Sequence, residues 1–160
     1  MARGQGTDDR GCVAMLKITR EQRDVLWENA AHEIDGGGED LVNTPGRGNL
    51  HDYLRIRRRF AVAMWTLDDL GWLRDDPRDR FYLTLPAADI AWMLGELDEY
   101  ALENLRFASD ALADPVKEFR DALEHGGANL EDCIADARRD CDEHLERHSV
   151  CCDLLAQVSS

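Results

Sequence analysis

Between Pro86 and Ala113 the chain reads PAADIAWMLGELDEYALENLRFASDALA. Ile90, Met93, Leu94, Leu97, Ala101, Leu105, Ala108 and Leu112 recur there every three or four residues, the spacing that gathers side chains on one helix face. Pro86 suits a first helical turn, where its missing N–H is not needed, and Asp114-Pro115 turns the backbone out of helical geometry. At ~1.5 Å per residue such a helix is roughly 40 Å long, about the width of a small domain. A rod of that length with one apolar face is stable only if other segments pack along it. The expected fold class is therefore mostly α, an irregular antiparallel bundle of four to five helices built on this one.

The remaining segments carry their own punctuation. Thr19 and Gln22 have capping-box spacing, so a first helix starts there, with Val25, Leu26, Trp27, Ala30, Ala31 and Ile34 as its apolar stripe. Gly36-Gly37-Gly38 is expected to end it and open a connector reaching Gly48. That glycine-containing stretch does not read as a phosphate cradle, because no strand precedes it and no Gly-Lys-Ser/Thr follows. Asn49 suits the cap of a second helix, Leu50 to Leu70, stopped by Gly71. Asp114 and Pro115 suit the start of a shorter helix reaching Glu124, and Asn129 caps a last helix from Leu130 to about Val158. Phe81 to Leu85 alternates like a strand but needs a partner, which only residues 13 to 18 (VAMLKI) offer. A short two-stranded β-ribbon and an extended linker are both open.

Residues 1–17 have no apolar core of the kind a secretory signal needs and read as a flexible leader, with Met15 as an alternative start. Residues 18–160 suit a single helical domain, large enough to bury roughly two thirds of its unfolded surface without metal or disulfide support. No apolar run approaches the ~18 residues that cross a bilayer. Five cysteines, four of them between Cys133 and Cys152, do not form the framework of a secreted disulfide scaffold, so a reducing cytoplasm is expected. Charge is lopsided. Residues 1–80 carry fifteen acids and thirteen bases, residues 81–160 eighteen acids and six bases, and the chain carries −14 in all. Such a field disfavours nucleic acid and anionic membrane and favours a basic protein partner. The one basic cluster, Arg55, Arg57, Arg58 and Arg59, is expected to pair with the acidic second half.

The turn Leu67-Asp68-Asp69-Leu70-Gly71-Trp72 and the entry Leu83-Thr84-Leu85-Pro86 into a long acidic helix resemble a group of small actinobacterial helical proteins of unknown function. The resemblance covers roughly residues 16–105, and its motifs are structural punctuation. It implies a helical fold and no activity. The cysteine- and histidine-containing stretch beyond departs from that pattern.

That last stretch holds the one constellation with chemical content. Cys141, His144, His148 and Cys152, flanked by Cys133 and Cys151, share one side of the final helix. Thiolate and imidazole are the ligands zinc prefers, and His144 with His148 has the i, i+4 spacing that can pinch one ion. Against this, Leu130, Ile134, Ala137, Leu145 and Leu155 share the same arc, where small buried residues belong, and one straight helix cannot wrap an ion. Three readings follow: core or interface cysteines, a zinc site closed by a second helix, and a redox-sensing thiol. No Gly-x-Ser-x-Gly, His-Glu-x-x-His or Gly-x-x-x-x-Gly-Lys is present, so no catalytic residue and no cofactor is assigned. The expected function is that of a small non-catalytic cytoplasmic interaction or regulatory protein, acting through an acidic helical surface on a protein partner or a second copy. The alternatives are an acidic nucleic-acid mimic and a metal-binding bundle. Trp65, Trp72 and Trp92 are candidate anchors.

Overall fold

The computed structural model of the protein describes residues 13–43 and 50–159. Strand β1 (Val13–Ile18) pairs antiparallel with β2 (Phe81–Pro86), Leu16 opposite Leu83 and Ile18 opposite Phe81. Alternation sets the ribbon's two faces. Leu16, Ile18, Phe81, Leu83 and Leu85 are buried, while Val13, Met15 and Tyr82 are exposed. The ribbon therefore forms, and its first strand takes in residues 13–17 of the stretch expected to be a flexible leader. The rest of that stretch lies outside the described residues. Pro86 closes β2 opposite Val13, so the long helix starts one residue later than expected.

Six helices accompany the ribbon among the described residues: α1 (Arg20–Asn43), α2 (Leu50–Leu70), α3 (Ala87–Ala113), α4 (Pro115–Glu118), α5 (Arg120–His125) and α6 (Leu130–Ser159). The fold is mostly α with a short β-ribbon, as the periodicity implies. The capping box is made in both directions, Gln22 N–H to Thr19 Oγ1 at 3.2 Å and Thr19 N–H to Gln22 Oε1 at 3.0 Å. Asn129 Oδ1 accepts from Glu131 N–H at 2.8 Å at the start of α6. Two expectations fail. Helix α1 runs through Gly36-Gly37-Gly38 to Asn43, because Gly37 packs under Phe60, whose Cδ2 would stand 3.2 Å from a Cβ there. A small residue at that contact is worth more than its poor propensity. The single helix expected from Asp114 to Glu124 is two, broken at Phe119, which ends α4 with φ −99° and ψ 14°. The connector beyond residue 43 lies outside the described residues.

The described residues form two compact units, one up to Leu94 together with Leu154 onward, the other Gly95–Asp153. In the first, α1 and α2 run antiparallel, with Arg59 bonded to Glu33 near one end and Arg23 to the Leu70 carbonyl near the other. Ala30, Ala63 and Leu67 pack between them, with Trp27 and Ile34 alongside. In the second, α3 and α6 run antiparallel, since Asp98 meets His148 while Ser109 meets Cys141. Leu97, Ala101 and Ala108 of α3 and Ala137, His144 and Cys151 of α6 are buried there.

The first unit holds a feature absent from the hydrophobic pattern. Arg23 of α1 is fully buried, and its guanidinium donates to the carbonyl of Leu70, the last residue of α2, and to those of Leu73 and Arg74 just beyond it. Trp27 Nε1–H donates to the Gly71 carbonyl at 3.1 Å, and Arg20 reaches the carbonyls of Asp76 and Arg78. Helix ends leave carbonyls without intrahelical donors. Here α1 supplies those donors, and the Phe81 and Trp27 rings flank the Arg23 guanidinium at 5.4 Å. Gly71 permits the turn, with φ +91°.

Candidate functional site

Cys141, His144, His148 and Cys152 all lie on α6 in the second unit. Helix α3 decides what each of them does. His144 is buried edge-on to Tyr100, ring centroids 6.2 Å apart and planes at 77°. Its Nδ1 has no hydrogen-bond partner. Burial holds its pKa below the ordinary imidazole value, the Arg147 charge acts in the same direction, and Asp140 and Glu143 oppose. His148 Nδ1 stands 2.6 Å from Asp98 Oδ1, and Cys152 Sγ stands 3.7 Å from His148 Nε2 and 3.9 Å from Nδ1. Cys141 Sγ lies 3.9 Å from Ser109 Oγ.

The four are therefore not gathered into a metal centre. Cys141 lies against Ser109, His144 against Tyr100 and His148 against Asp98. Among the described residues no group of three or more His, Cys, Asp or Glu side chains comes together in a way that could hold a metal ion. The reason is geometric: side chains four residues apart stand about 6 Å apart along a helix axis, so one helix needs convergent ligands from another to enclose an ion.

Cys133, Cys141, Cys151 and Cys152 are free thiols. Cys151 is fully buried, and burial, with Asp98 and Cys152 nearby, pushes its thiol up to about 12. It behaves as a small core residue. Cys152 is exposed on the adjoining face. A thiol, an imidazole and a carboxylate thus stand in series, Cys152 to His148 to Asp98. Sequence reading had the first two but not Asp98, which is one acid among thirty-three until α3 and α6 pair. A carboxylate on Nδ1 fixes the ring's tautomer with the proton on that nitrogen and leaves Nε2 as the acceptor.

Two members of the basic cluster on α2, Arg58 and Arg59, have partners within the first unit. Arg58 bonds the buried Asp89 carboxylate at 2.9 Å and stacks 4.4 Å above Trp92, as expected of a partner in the acidic half. Arg59 instead bonds Glu33 of α1 at 2.6 Å. Trp92 is half-buried, while Trp65 and Trp72 are 38 % and 48 % exposed. Trp72 Nε1–H donates to Asp68. A recess of about 210 Å³ is lined by Arg20, Arg23, Asp24, Trp27, Glu28, Arg74 and Asp75. Its walls are the side chains that clasp the turn after α2, and they read as structure.

On α3, Tyr100, Glu103, Phe107 and Asp110 recur at three- and four-residue spacing along one flank, all exposed, the two aromatic rings 56 % each. Arg106 lies 5.3 Å from the Phe107 ring centre. No helix among the described residues is long and apolar enough to cross a membrane. No family model, curated protein or solved structure matches the chain.

Proposed function

We propose that the protein is a small non-catalytic interaction or regulatory module of the cytoplasm, and that α3 of the second unit is its contact surface. The observation that carries this reading is the flank Tyr100, Glu103, Phe107 and Asp110. Two exposed aromatic rings one heptad apart, interleaved with carboxylates, have the anchor spacing of helices that seat in a partner's groove. Aromatic anchors supply most of the energy at such contacts, and the charges around them set the partner's sign. Residues 95–153 carry seventeen acids and six bases. The partner this surface fits is a protein with an apolar groove rimmed by Lys and Arg. Self-pairing along the flank sets carboxylates against carboxylates, which favours a different protein over a second copy.

The nucleic-acid mimic keeps one supporting feature. Asp132, Asp136 and Asp140 follow each other every fourth residue along α6, about 6 Å apart. Asp136 is engaged by Arg139, which weakens the row. The test is affinity capture from native cytoplasm with wild type, Tyr100→Ala/Phe107→Ala and Asp132→Asn/Asp140→Asn. The proposed reading predicts a basic partner retained by the aspartate variant and lost, by about tenfold or more, with the aromatic one. Loss with the aspartate variant alone assigns the α6 row instead. Equal capture by all three refutes both.

A further inference from the structure

We infer that Cys152 is a chemically activated thiol, with His148 taking its proton and Asp98 as positioning residue, and that its co-reactant is a hydroperoxide. This goes beyond the interaction reading and rests on side chains of α6 and on Asp98, not on the exposed flank of α3.

The geometry comes first. Asp98 Oδ1 is 2.6 Å from His148 Nδ1, and the two side chains are 21 % and 37 % exposed. The carboxylate accepts from Nδ1–H, which leaves Nε2, 3.7 Å from sulfur, as the ring nitrogen with a free lone pair. A nucleophile, a base within reach and a third group orienting the base are the parts of an activated nucleophile. Sulfur is almost as near to Nδ1, at 3.9 Å, so it stands off the Nε2 lone-pair axis and must swing about χ1 before the proton moves. Such contacts are commonly loose until the co-reactant arrives.

The surroundings select the reaction. Cys152 lies inside α6, seven residues before its end at Ser159. Interior helical N–H groups are already bonded to the carbonyl four residues back, so none is left to stabilise the oxyanion of acyl transfer. Displacement at a peroxide oxygen needs no such donors. The sulfur attacks one peroxide oxygen, the O–O bond breaks, the thiol proton passes to His148 and from there to the leaving alkoxide or hydroxide. The products are a sulfenic acid and an alcohol or water, with sulfur oxidised by two electrons and the peroxide reduced by two. A neutral oxidant also avoids the repulsion that an anionic disulfide meets at residues 95–153, with their seventeen acids and six bases.

The neighbouring cysteine does not resolve the product. Cys151 is fully buried, its thiol pushed up to about 12, and side chains of adjacent helical residues point roughly 100° apart. The sulfenic acid therefore persists until an external thiol caps it, which suits a reversible mark.

The experiment is time-resolved alkylation of the full-length protein with iodoacetamide, each cysteine followed by peptide mass spectrometry, with dimedone trapping after hydrogen peroxide. Cys152 in the folded protein is expected to react at least about tenfold faster than the same residue in urea-unfolded chain, which exposure alone cannot produce. His148→Ala brings it to the unfolded rate, and added imidazole restores the acceleration. Asp98→Asn gives an intermediate rate that Asp98→Glu raises again. Dimedone adducts form at Cys152 in wild type and not in His148→Ala. A folded rate no greater than the unfolded one overturns the inference without any variant, and so does acceleration that survives His148→Ala.

Discussion

Replacing Arg23 by methionine removes a guanidinium that is fully buried and bonded to three backbone carbonyls. Leu70 is itself buried, while Leu73 and Arg74 lie on the exposed turn, where water can take over. One buried acceptor left unmade costs about 1–3 kcal/mol, and each charge-assisted bond to the turn contributes about 1.5 kcal/mol or more before water offsets part of it. Losing the stacking on Trp27 and Phe81 adds about 1 kcal/mol, and the methionine's own burial returns some of the total. The net expectation is a loss of about 3–5 kcal/mol. Trp27, Trp65, Trp72 and Trp92 all belong to the first unit, so intrinsic tryptophan fluorescence during urea unfolding follows that unit alone. With a slope near ~1.5 kcal/mol/M, the midpoint falls by about 2–3 M. Arg23→Lys keeps the charge but not the planar fork and should lose about half as much. A methionine variant within about 1 kcal/mol of wild type would show that the clasp on the turn is incidental.

Two further substitutions probe separate parts of the chain. Gly71→Ala places a Cβ at φ +91° and against the Asp76 carboxylate, so the first unit should lose about 2 kcal/mol or more by the same fluorescence assay. His144 is held neutral by burial, its pKa below the ordinary 6.5, so the unfolded chain binds its proton first as pH falls. Its contribution is complete above pH 6.5 and is lost as pH falls through the depressed value. Circular-dichroism melts between pH 8 and 5 should show a drop in wild type that His144→Leu reduces; identical pH dependence would remove His144 from that account.

What could be read directly from the residues was local. The capping box at Thr19, the Asn129 cap and the stop at Gly71 depend on neighbours in sequence, and all three are made. The facing of the ribbon followed from alternation once β1 and β2 found each other. Gly36-Gly37-Gly38 misled because glycine signals a helix end by propensity alone, while Phe60, more than twenty residues away, makes a small residue the better fit at Gly37. Arg23 and Asp98 escaped for the same reason. Nothing near either in sequence marks it as buried or paired, and only the antiparallel packing of α1 on α2 and of α3 on α6 gives them partners. The four candidate ligands all lie on α6, but which of them would meet a serine, a tyrosine ring or a carboxylate depended on α3.

The proposed role of the exposed flank of α3 is to bind a basic protein. Its most direct test is equilibrium titration of the captured partner against wild type and Tyr100→Ala/Phe107→Ala over a range of salt. The expected result is a Kd at least about tenfold weaker for the double variant, and binding to wild type that weakens as salt screens the carboxylates. Affinity unchanged by both the substitutions and the salt would contradict it.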